Sequence, residues 1–262
     1  MIQKNSKMVE KLRNDELVVC TKLNITDTIP AEIAAYSGFD CIWVDMEHIP
    51  TDYSQIKNVI LAAKARGTET IVRTPRGAYS NLIRPLEMDA EAIMVPHVMS
   101  KKDAEEMAYY TKFHPIGRRP LDGGNSDGMY CLMDLPEYFK YSNEQKLTIV
   151  QIEDIEAYEQ IEEIASVPGI DMLFFGPADF AHSLGLAHDM GNKKICEARK
   201  RVAEVARRHG KLAGTVGSTA NMEELYNMGY RLVSVGADVI ALCDYYANII
   251  KSVDELKKSL KG

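Results

Sequence analysis

Eight short apolar runs alternate with amphipathic stretches along the chain, and this alternation restricts the possible folds more than any other feature. The runs are rich in β-branched residues, as buried parallel strands are. They lie at 17–23, 40–45, 69–73, 92–96, 147–153, 171–176, 211–216 and 231–236. Helical spacing of apolar residues marks the segments between them, at 28–37, 53–66, 79–88, 101–112, 156–166, 193–209 and 219–228. Strand alternating with helix in a chain of 262 residues predicts an α/β protein with a (β/α)8 TIM barrel.

An open, doubly wound sheet is the alternative to a barrel. Such a sheet usually carries a G-x-G-x-x-G turn after its first strand, and this sequence has none there. Residues 1–15 predict an N-terminal helix that closes the bottom of the barrel, and 244–260 predict an extra C-terminal helix. The apolar face of that last helix could pack on its own barrel or on a neighbouring subunit. Since no composition break marks a linker, we interpret 1–262 as a single barrel domain.

Composition argues against several classes of protein. The net charge of −7, with no basic stripe, does not suit a nucleic-acid-binding protein. No apolar run approaches the ~18 residues of a membrane span. The first fourteen residues lack the apolar core of a signal peptide, and five dispersed cysteines fit a reducing compartment. We therefore expect a cytoplasmic protein with small-molecule partners.

Carboxylates follow two of the apolar runs. Glu153 ends the run at 147–153, and Asp179 follows the run at 171–176. Right-handed connections bring the ends of parallel strands to one rim, so these acids should lie side by side. They either share a proton or bind a hard divalent cation, although two ordinary loop acids would look the same in sequence. Gln151 on the same strand face, and a tight turn at 176–178 that can present backbone N–H groups, favour a binding site.

Other polar residues follow strands at the same rim, where barrel enzymes place their chemistry. His48 comes after Asp45 and Glu47, and carboxylates that orient an imidazole make a usable general base. A surface histidine is the alternative. Arg73 ends the third strand and needs an anionic partner, either a substrate carboxylate or enolate oxygen, or a structural ion pair with Glu47 or Glu87.

Several further sites receive weaker support. His97 follows the fourth strand and is a less favoured candidate, and Lys22 is the lysine nearest a strand end for Schiff-base chemistry. The glycines of 214–218 and 235–238 could form a phosphate cup, but no Lys or Arg accompanies them. The absence of a Cys/His cluster and of a G-x-S-x-G turn argues against a nitrogen- or sulfur-ligated zinc site and against a serine hydrolase.

Taken together, these motifs resemble the HpcH/HpaI aldolase family of metal-dependent (class II) pyruvate aldolases. The family includes 4-hydroxy-2-oxoheptanedioate aldolase and 2-dehydro-3-deoxyglucarate aldolase. The resemblance runs in order from about Thr21 to Leu242 and is carried by Asp45-Met46-Glu47-His48, Val72-Arg73-Thr74-Pro75, Gln151-Ile152-Glu153 and Gly176-Pro177-Ala178-Asp179. It implies a barrel lyase that cleaves a 4-hydroxy-2-oxo acid to pyruvate and an aldehyde through a metal-stabilised enolate. It also implies a homo-oligomer, a hexamer or trimer of dimers that exchange their last helix.

The same resemblance implies a role for each motif residue. Glu153 and Asp179 match the ligands of one divalent ion, Mg²⁺, Mn²⁺ or Co²⁺. Contacts to the pyruvate part fall to Gln151, Gly176, Asp179 and the backbone at Ala178.

The catalytic residues of the family also have counterparts. His48 matches the base, held by Asp45, and Arg73 matches the group that steadies the enolate. Glu87 stands where the family often has an Asp that tunes the histidine, and it keeps the charge on a longer stem. The loop at 113–128 departs from the family pattern, with Pro120 in place of a glycine, and is expected to frame the aldehyde pocket.

Two other kinds of function stay open at this point. One is a different enzyme on the same barrel, either an acyl-CoA ester lyase or an oxaloacetate decarboxylase. A CoA lyase should offer basic residues for the nucleotide at the rim, and the charge pattern does not clearly show them. The other is a non-catalytic barrel that binds a small acid.

Overall fold

A closed barrel of eight parallel strands forms the centre of the molecule, in the order β1 to β8 around the ring. The computed structural model describes residues 5–187 and 189–260. The strands are β1 (Val18–Leu23), β2 (Cys41–Asp45), β3 (Glu69–Arg73), β4 (Ala92–Val95), β5 (Leu147–Ile152), β6 (Met172–Phe175), β7 (Leu212–Gly217) and β8 (Leu232–Ala237). The predicted (β/α)8 barrel is confirmed.

Helices connect the strands and surround the barrel. They are α1 (Lys7–Arg13), α2 (Thr28–Tyr36), α3 (Tyr53–Ala65), α4 (Ser80–Glu87), α5 (Lys101–Thr111), α6 (Leu135–Gln145), α7 (Ile155–Glu159), α8 (Ile161–Ala165), α9 (Pro177–Ser183), α10 (Lys193–Arg208), α11 (Met222–Met228) and α12 (Asp238–Ser259). Within the described ranges, none of them is long and apolar enough to cross a membrane.

Alternation along the strands decides which side chains enter the barrel. Inward-facing apolar residues form one cluster, which contains Cys20, Trp43, Ile71, Met94, Ile149, Met172, Phe174 and Leu232. Because successive side chains point to opposite faces, the residue two positions further along a strand also points inward. At the carboxyl ends of four strands that residue has a charged or amide side chain. These residues are Lys22 on β1, Asp45 on β2, Arg73 on β3 and Gln151 on β5.

Helix α1 closes the opposite end of the barrel, as expected. Its residues Met8, Val9 and Leu12 are buried in the inner cluster. The carboxylate of Glu69, the first residue of β3, accepts hydrogen bonds from the backbone N–H groups of Lys7 (2.7 Å) and Met8 (3.0 Å). This contact satisfies the free donors at the start of the helix. Residues 1–4 of the predicted helix lie outside the described residues.

The elements differ from the predictions at several connections. The helix predicted at 156–166 is divided at Gln160 into α7 and α8, and the last helix begins at Asp238, directly after β8. The turn predicted at 176–178 is the start of α9, where Pro177 occupies the first helical position that suits proline. Helix α6 was not predicted, although Asp134 caps its N-terminus.

The loop at 113–128 lies at the closed end of the barrel, beyond the end of α5. The N–H of Ser126 donates to the carbonyl of Glu87 at the end of α4 (3.1 Å). Inside the loop, the buried Arg119 pairs with Asp127 (2.6 Å). Both α4 and α5 run from the rim back toward the N-terminal ends of the strands. The structure therefore does not bring this loop to the mouth of its own barrel, where it was expected to frame the aldehyde pocket.

Candidate active site

The cationic side of the barrel mouth is organised around Asp45, whose side chain is fully buried. Arg73 donates two hydrogen bonds to it, from Nε to Oδ1 (2.9 Å) and from Nη2 to Oδ2 (2.5 Å). Lys22 Nζ lies 2.8 Å from Oδ2. Burial alone would raise the pKa of Asp45, but the bonds and charge of Arg73, with those of Lys22, hold the pKa well below its usual value.

This geometry corrects the interpretation of Asp45. The sequence suggested that Asp45 holds His48, yet the carboxylate is occupied by Arg73, Lys22 and the backbone N–H of Glu47 (3.0 Å). Within the described chain, the ring of His48 has one charged neighbour, Glu47 Oε2, at 3.6 Å from Nε2. The side chain of His48 is 59% exposed, so it stays open to the mouth.

Aromatic rings form the floor beneath the cations. The guanidinium of Arg73 lies 4.8 Å from the centroid of the Trp43 ring, within cation–π distance. Phe174 meets Trp43 edge to face, with centroids 5.6 Å apart. Glu47 Oε2 approaches Arg73 Nη1 to 3.0 Å. Asp45, Glu47 and the Trp43 ring therefore hold the guanidinium group of Arg73 in place at the mouth.

The acidic side of the mouth is organised around Glu153, directly after β5. This carboxylate is 1% exposed. It accepts hydrogen bonds from the backbone N–H of His97 (2.9 Å) and from Gln151 Nε2 (2.7 Å). Burial raises the pKa of Glu153 to about 7, and the charges of Asp179 and Glu47 add to the rise while His97 opposes it. A buried acid surrounded by further acids is an arrangement that a cation would relieve.

Helix α9 carries Asp179, the acid that was predicted to lie beside Glu153. Asp179 lies in its first turn and is exposed, as is Ala178. The N–H groups of a first helical turn have no partner inside the helix, so they can bind an anionic group. Gly176 precedes the helix, and a Cβ on it would lie 2.6 Å from Glu153 Oε2 and 2.9 Å from Glu153 Cβ. Only glycine lets the backbone pass this close to Glu153.

His97, which the sequence argument ranked as a less favoured candidate, lies at the mouth beside Glu153. Its backbone adopts a left-handed conformation with φ 52°, and its Nδ1 lies 2.9 Å from Asp154 Oδ2. Its Nε2 lies 3.6 Å from Glu47 Oε1. Burial would lower the pKa of His97, but the Asp154 bond and the Glu153 charge raise it. Its position directly after Pro96, at the end of β4, was the one available signal.

Glu87 is the predicted residue that the structure does not bring to the site. It ends α4 at the closed end of the barrel, beside the loop at 113–128. Burial raises its pKa, and the charged groups that act on it include Arg119 and Asp127. These neighbours belong to that loop, so within this chain Glu87 does not lie beside His48.

The donor set at the mouth fits a hard divalent cation. Glu153 and Asp179 offer carboxylate oxygens, and Gln151 Oε1 is buried without a hydrogen-bond partner among the described residues. No group of three His, Cys, Asp or Glu side chains converges as ligands within 5–187 and 189–260. Mg²⁺ commonly binds through one or two carboxylates and keeps several waters, so two protein carboxylates suffice.

Comparison with known proteins places the chain in a family. The model of the HpcH/HpaI aldolase/citrate lyase family matches residues 23–244. A hydroxypyruvate/pyruvate aldolase of Pseudomonas aeruginosa is 27% identical, covering 97% of this chain and 92% of the relative. A 2-keto-3-deoxy-L-rhamnonate aldolase of Shigella sonnei is 28% identical, covering 90% and 88%. The crystal structure of an HpcH/HpaI aldolase from Desulfitobacterium hafniense matches with a TM-score of 0.88 at 29% identity, covering 94% of this chain and 96% of that one. The predicted resemblance is confirmed, and the chain belongs to the HpcH/HpaI aldolase/citrate lyase family of enzymes.

Proposed function

We propose that this enzyme is a divalent-metal-dependent aldolase that cleaves a 4-hydroxy-2-oxo acid to pyruvate and an aldehyde. One observation carries the proposal: the buried Glu153 and the neighbouring Asp179 share a barrel mouth with the fixed cation of Arg73. Acids on one side and a cation on the other suit a 2-oxo acid, which brings oxygens that bind a metal and an oxyanion that binds Arg73. The aldolase names of the two relatives support the same reaction type.

Glu153 and Asp179 would hold the ion, which we propose to be Mg²⁺, Mn²⁺ or Co²⁺. When bound, the ion supplies Lewis-acid charge that stabilises negative charge on the 2-oxo acid. Gln151 positions Glu153 through its amide N–H and keeps its own Oε1 free to accept a hydrogen bond from water or hydroxyl. The N–H groups of Ala178 and Asp179 bind the substrate carboxylate at the start of α9.

Arg73 and His48 carry the charge and the proton in this mechanism. Arg73 places its guanidinium beside the oxygen that becomes negative as the C3–C4 bond breaks, and its two acids keep it from reorienting. Losing one such donor typically costs about 10²–10³ in rate. His48 takes the proton of the C4 hydroxyl, because its ring is exposed after the end of β2 and the carboxylate of Glu47 is its one charged partner among the described side chains.

We also propose a homo-oligomer in which α12 packs on a neighbouring subunit. Helix α12 has no buried residue, although it carries a long apolar face. The exposed large side chains on it are Ile240, Leu242, Tyr245, Tyr246, Ile249, Ile250, Val253 and Leu256. A cavity of about 400 Å³ between β1, α2 and the start of α12 is lined by Leu23, Ile33, Phe39 and Leu242 and can receive apolar side chains of a neighbouring subunit. Light scattering of the full chain should therefore give a multiple of the 29.3 kDa protomer mass.

A reducing location is consistent with the cysteines, and we propose the cytoplasm. Cys20 and Cys41 occupy paired positions on β1 and β2, and both are free thiols. Such a pair survives as thiols where glutathione and thioredoxin keep them reduced.

Proton exchange at the methyl group of pyruvate tests the proposed reaction without knowledge of the aldehyde. Pyruvate in D₂O is followed by NMR with the wild-type protein, with and without Mn²⁺. We expect exchange that requires the metal and is lost in Arg73→Met, which removes the charge beside the enolate oxygen. Exchange that proceeds equally in excess chelator would contradict the metal assignment, and no exchange with or without an aldehyde would contradict the proposal itself.

A further inference from the structure

His97 is held at the mouth by contacts of its backbone and of its ring. The backbone N–H donates to Glu153 Oε1 (2.9 Å), and the carbonyl accepts a hydrogen bond from Arg76. The ring Nδ1 lies 2.9 Å from Asp154 Oδ2. A carboxylate oxygen is an acceptor, so Nδ1 carries the hydrogen of this bond. One residue therefore binds two consecutive acids, Glu153 through its backbone and Asp154 through its side chain.

The backbone of His97 adopts the left-handed region, with φ 52°, directly after the end of β4. This conformation costs free energy for any residue that has a Cβ, although asparagine, aspartate and histidine adopt it more often than the others. Contacts outside the backbone must therefore hold it. Arg76 holds the carbonyl and is itself paired with Asp103 (2.9 Å), and Asp154 holds the ring.

Asp154 does not cap its own helix. It is the N-cap residue of α7, a position at which an aspartate usually accepts a hydrogen bond from the first helical turn. Three other N-cap aspartates of this chain, Asp27, Asp52 and Asp134, form that bond. Within the described chain, Asp154 forms no such bond and has the ring of His97 as its partner. The orientation of Asp154 therefore serves His97 rather than α7.

These contacts converge on the orientation of the Glu153 carboxylate. Its Oε1 accepts from the N–H of His97, and its Oε2 accepts from Gln151 Nε2 (2.7 Å), so both oxygens are anchored. The ring itself does not bind Glu153, because Nδ1 lies 3.6 Å from Oε1, beyond hydrogen-bonding distance. The ring therefore acts on Glu153 through the backbone of its own residue.

We propose that His97 is a positioning residue for the metal-binding acid. Its ring, held by Asp154, keeps the backbone turned so that the N–H of His97 stays on Glu153 and sets the direction of that carboxylate. The inference rests on the proposed function, because that function makes Glu153 a ligand of the divalent ion. Removing a group that orients a metal ligand typically weakens metal binding by about 10- to 100-fold.

Binding of Mn²⁺ without substrate tests this role independently of turnover, with the EPR signal of the free ion as the readout. His97→Ala removes the ring and disfavours the left-handed backbone, so the dissociation constant of Mn²⁺ should rise about 10- to 100-fold. His97→Asn should restore most of the affinity. Asparagine accepts that backbone, and its amide N–H can replace the Nδ1–H that binds Asp154.

Asp154 tests the same bond from its other side, and it does so even if His97→Ala fails to fold. Asp154→Ala should also weaken Mn²⁺ binding, and the double variant should bind no more weakly than His97→Ala alone, because both changes remove one bond. Asp154→Asn keeps an acceptor and should stay close to the wild-type protein. As a control, Asp134→Ala removes a helix cap and should lower the thermal unfolding midpoint without changing the affinity for Mn²⁺.

Three outcomes would overturn the assignment. The first is an affinity for Mn²⁺ that His97→Ala and Asp154→Ala leave unchanged, and the second is a His97→Asn protein that binds as weakly as His97→Ala. The third is an Asp154→Asn protein as weak as Asp154→Ala, since the charge of Asp154 would then attract the ion directly. Glu153→Gln separates the two levels. If it weakens Mn²⁺ binding while the His97 variants do not, only the role of His97 is lost, whereas an unchanged affinity in Glu153→Gln removes the proposed metal site.

Discussion

The two ends of the barrel both hold buried charges, but they pair them differently. At the closed end, Lys64 bridges Asp89 (2.8 Å) and Glu91, and Lys146 pairs with Asp89, so two cations face two acids. At the mouth, Glu153 lies near Asp179 and Glu47, and the negative charges of both residues raise its pKa.

This difference separates scaffold from site. In the closed-end cluster, burial alone would lower the pKa of Lys146, but Asp89 and Glu91 hold it above its usual value, so that cluster is balanced from within. In contrast to that lysine–acid cluster, the mouth leaves polar atoms without partners among the described residues, including Gln151 Oε1 and Trp43 Nε1. Balanced charges stabilise a fold, whereas unbalanced ones mark the place where an ion or substrate completes the structure.

Glu153→Gln at the mouth tests this difference between the two ends most strongly. The amide keeps the shape of the side chain and its hydrogen bond from His97, but it removes the charge that would hold the metal. We expect metal-dependent pyruvate exchange to fall by about 10³ or more, with the thermal unfolding midpoint at least as high as in the wild-type protein. A large loss of stability with exchange retained per folded molecule would assign Glu153 to the scaffold instead.

The sequence predicted the fold well because the barrel depends on local signals. Strand β3 was predicted at its observed bounds, 69–73, and β5 ends one residue before its predicted end, since a β-branched apolar run carries its own periodicity. Helix α6 was missed because it connects two elements at the closed end and its side chains are mostly polar and aromatic. No strand–helix repeat requires it.

The candidate site was predicted where strand position decides it. Four predicted residues lie at the mouth because each of them lies at or directly after the end of a strand, and strand ends can be predicted from sequence. They are Glu153, Gln151, Arg73 and Asp45. A sequence does not show in the same way which side chains on neighbouring strands form pairs. Asp45 was therefore predicted to hold His48, whereas in the structure it binds Arg73. Glu87 was expected beside His48 from the family pattern, but α4 ends at the opposite end of the barrel, so the two residues do not meet within this chain.

The second prediction concerns a substitution at the closed end, which should lower stability more than catalytic activity. Lys146→Met removes a lysine whose side chain is 2% exposed and leaves Asp89 and Glu91 to share Lys64. Breaking a buried pair on one side typically costs about 3–5 kcal/mol of unfolding free energy. Urea unfolding should show this loss, while pyruvate exchange per folded molecule stays within about twofold of wild type.

An exposed pair supplies the control for Lys146. Lys193→Met removes the partner of Glu197 on α10, where the two side chains are 88% and 60% exposed. Water already solvates these charges, so the unfolding free energy should change by no more than the error of the measurement. If Lys146→Met were as mild as Lys193→Met, or if it abolished exchange in a stable protein, the closed-end cluster would not be the scaffold described above.

The smallest of the three effects tests how closely backbone and acid are fitted at the mouth. In Gly176→Ala the new methyl would meet both Oε2 and Cβ of Glu153, at 2.6 and 2.9 Å. The carboxyl end of that side chain can swing aside, but its Cβ cannot move without the strand end, so Glu153 must shift. We expect exchange to fall about 10- to 100-fold and the unfolding free energy to drop by about 1–3 kcal/mol. Gly191→Ala, where the nearest atom to the new methyl lies 3.8 Å away, is the matched control and should change neither. If Glu153 and Asp179 hold the metal as proposed, a displaced Glu153 would weaken its binding, so the concentration of Mn²⁺ needed for half-maximal exchange should rise in Gly176→Ala. An unchanged requirement for Mn²⁺ would show that Glu153 tolerates the shift, and that the glycine serves the substrate rather than the metal.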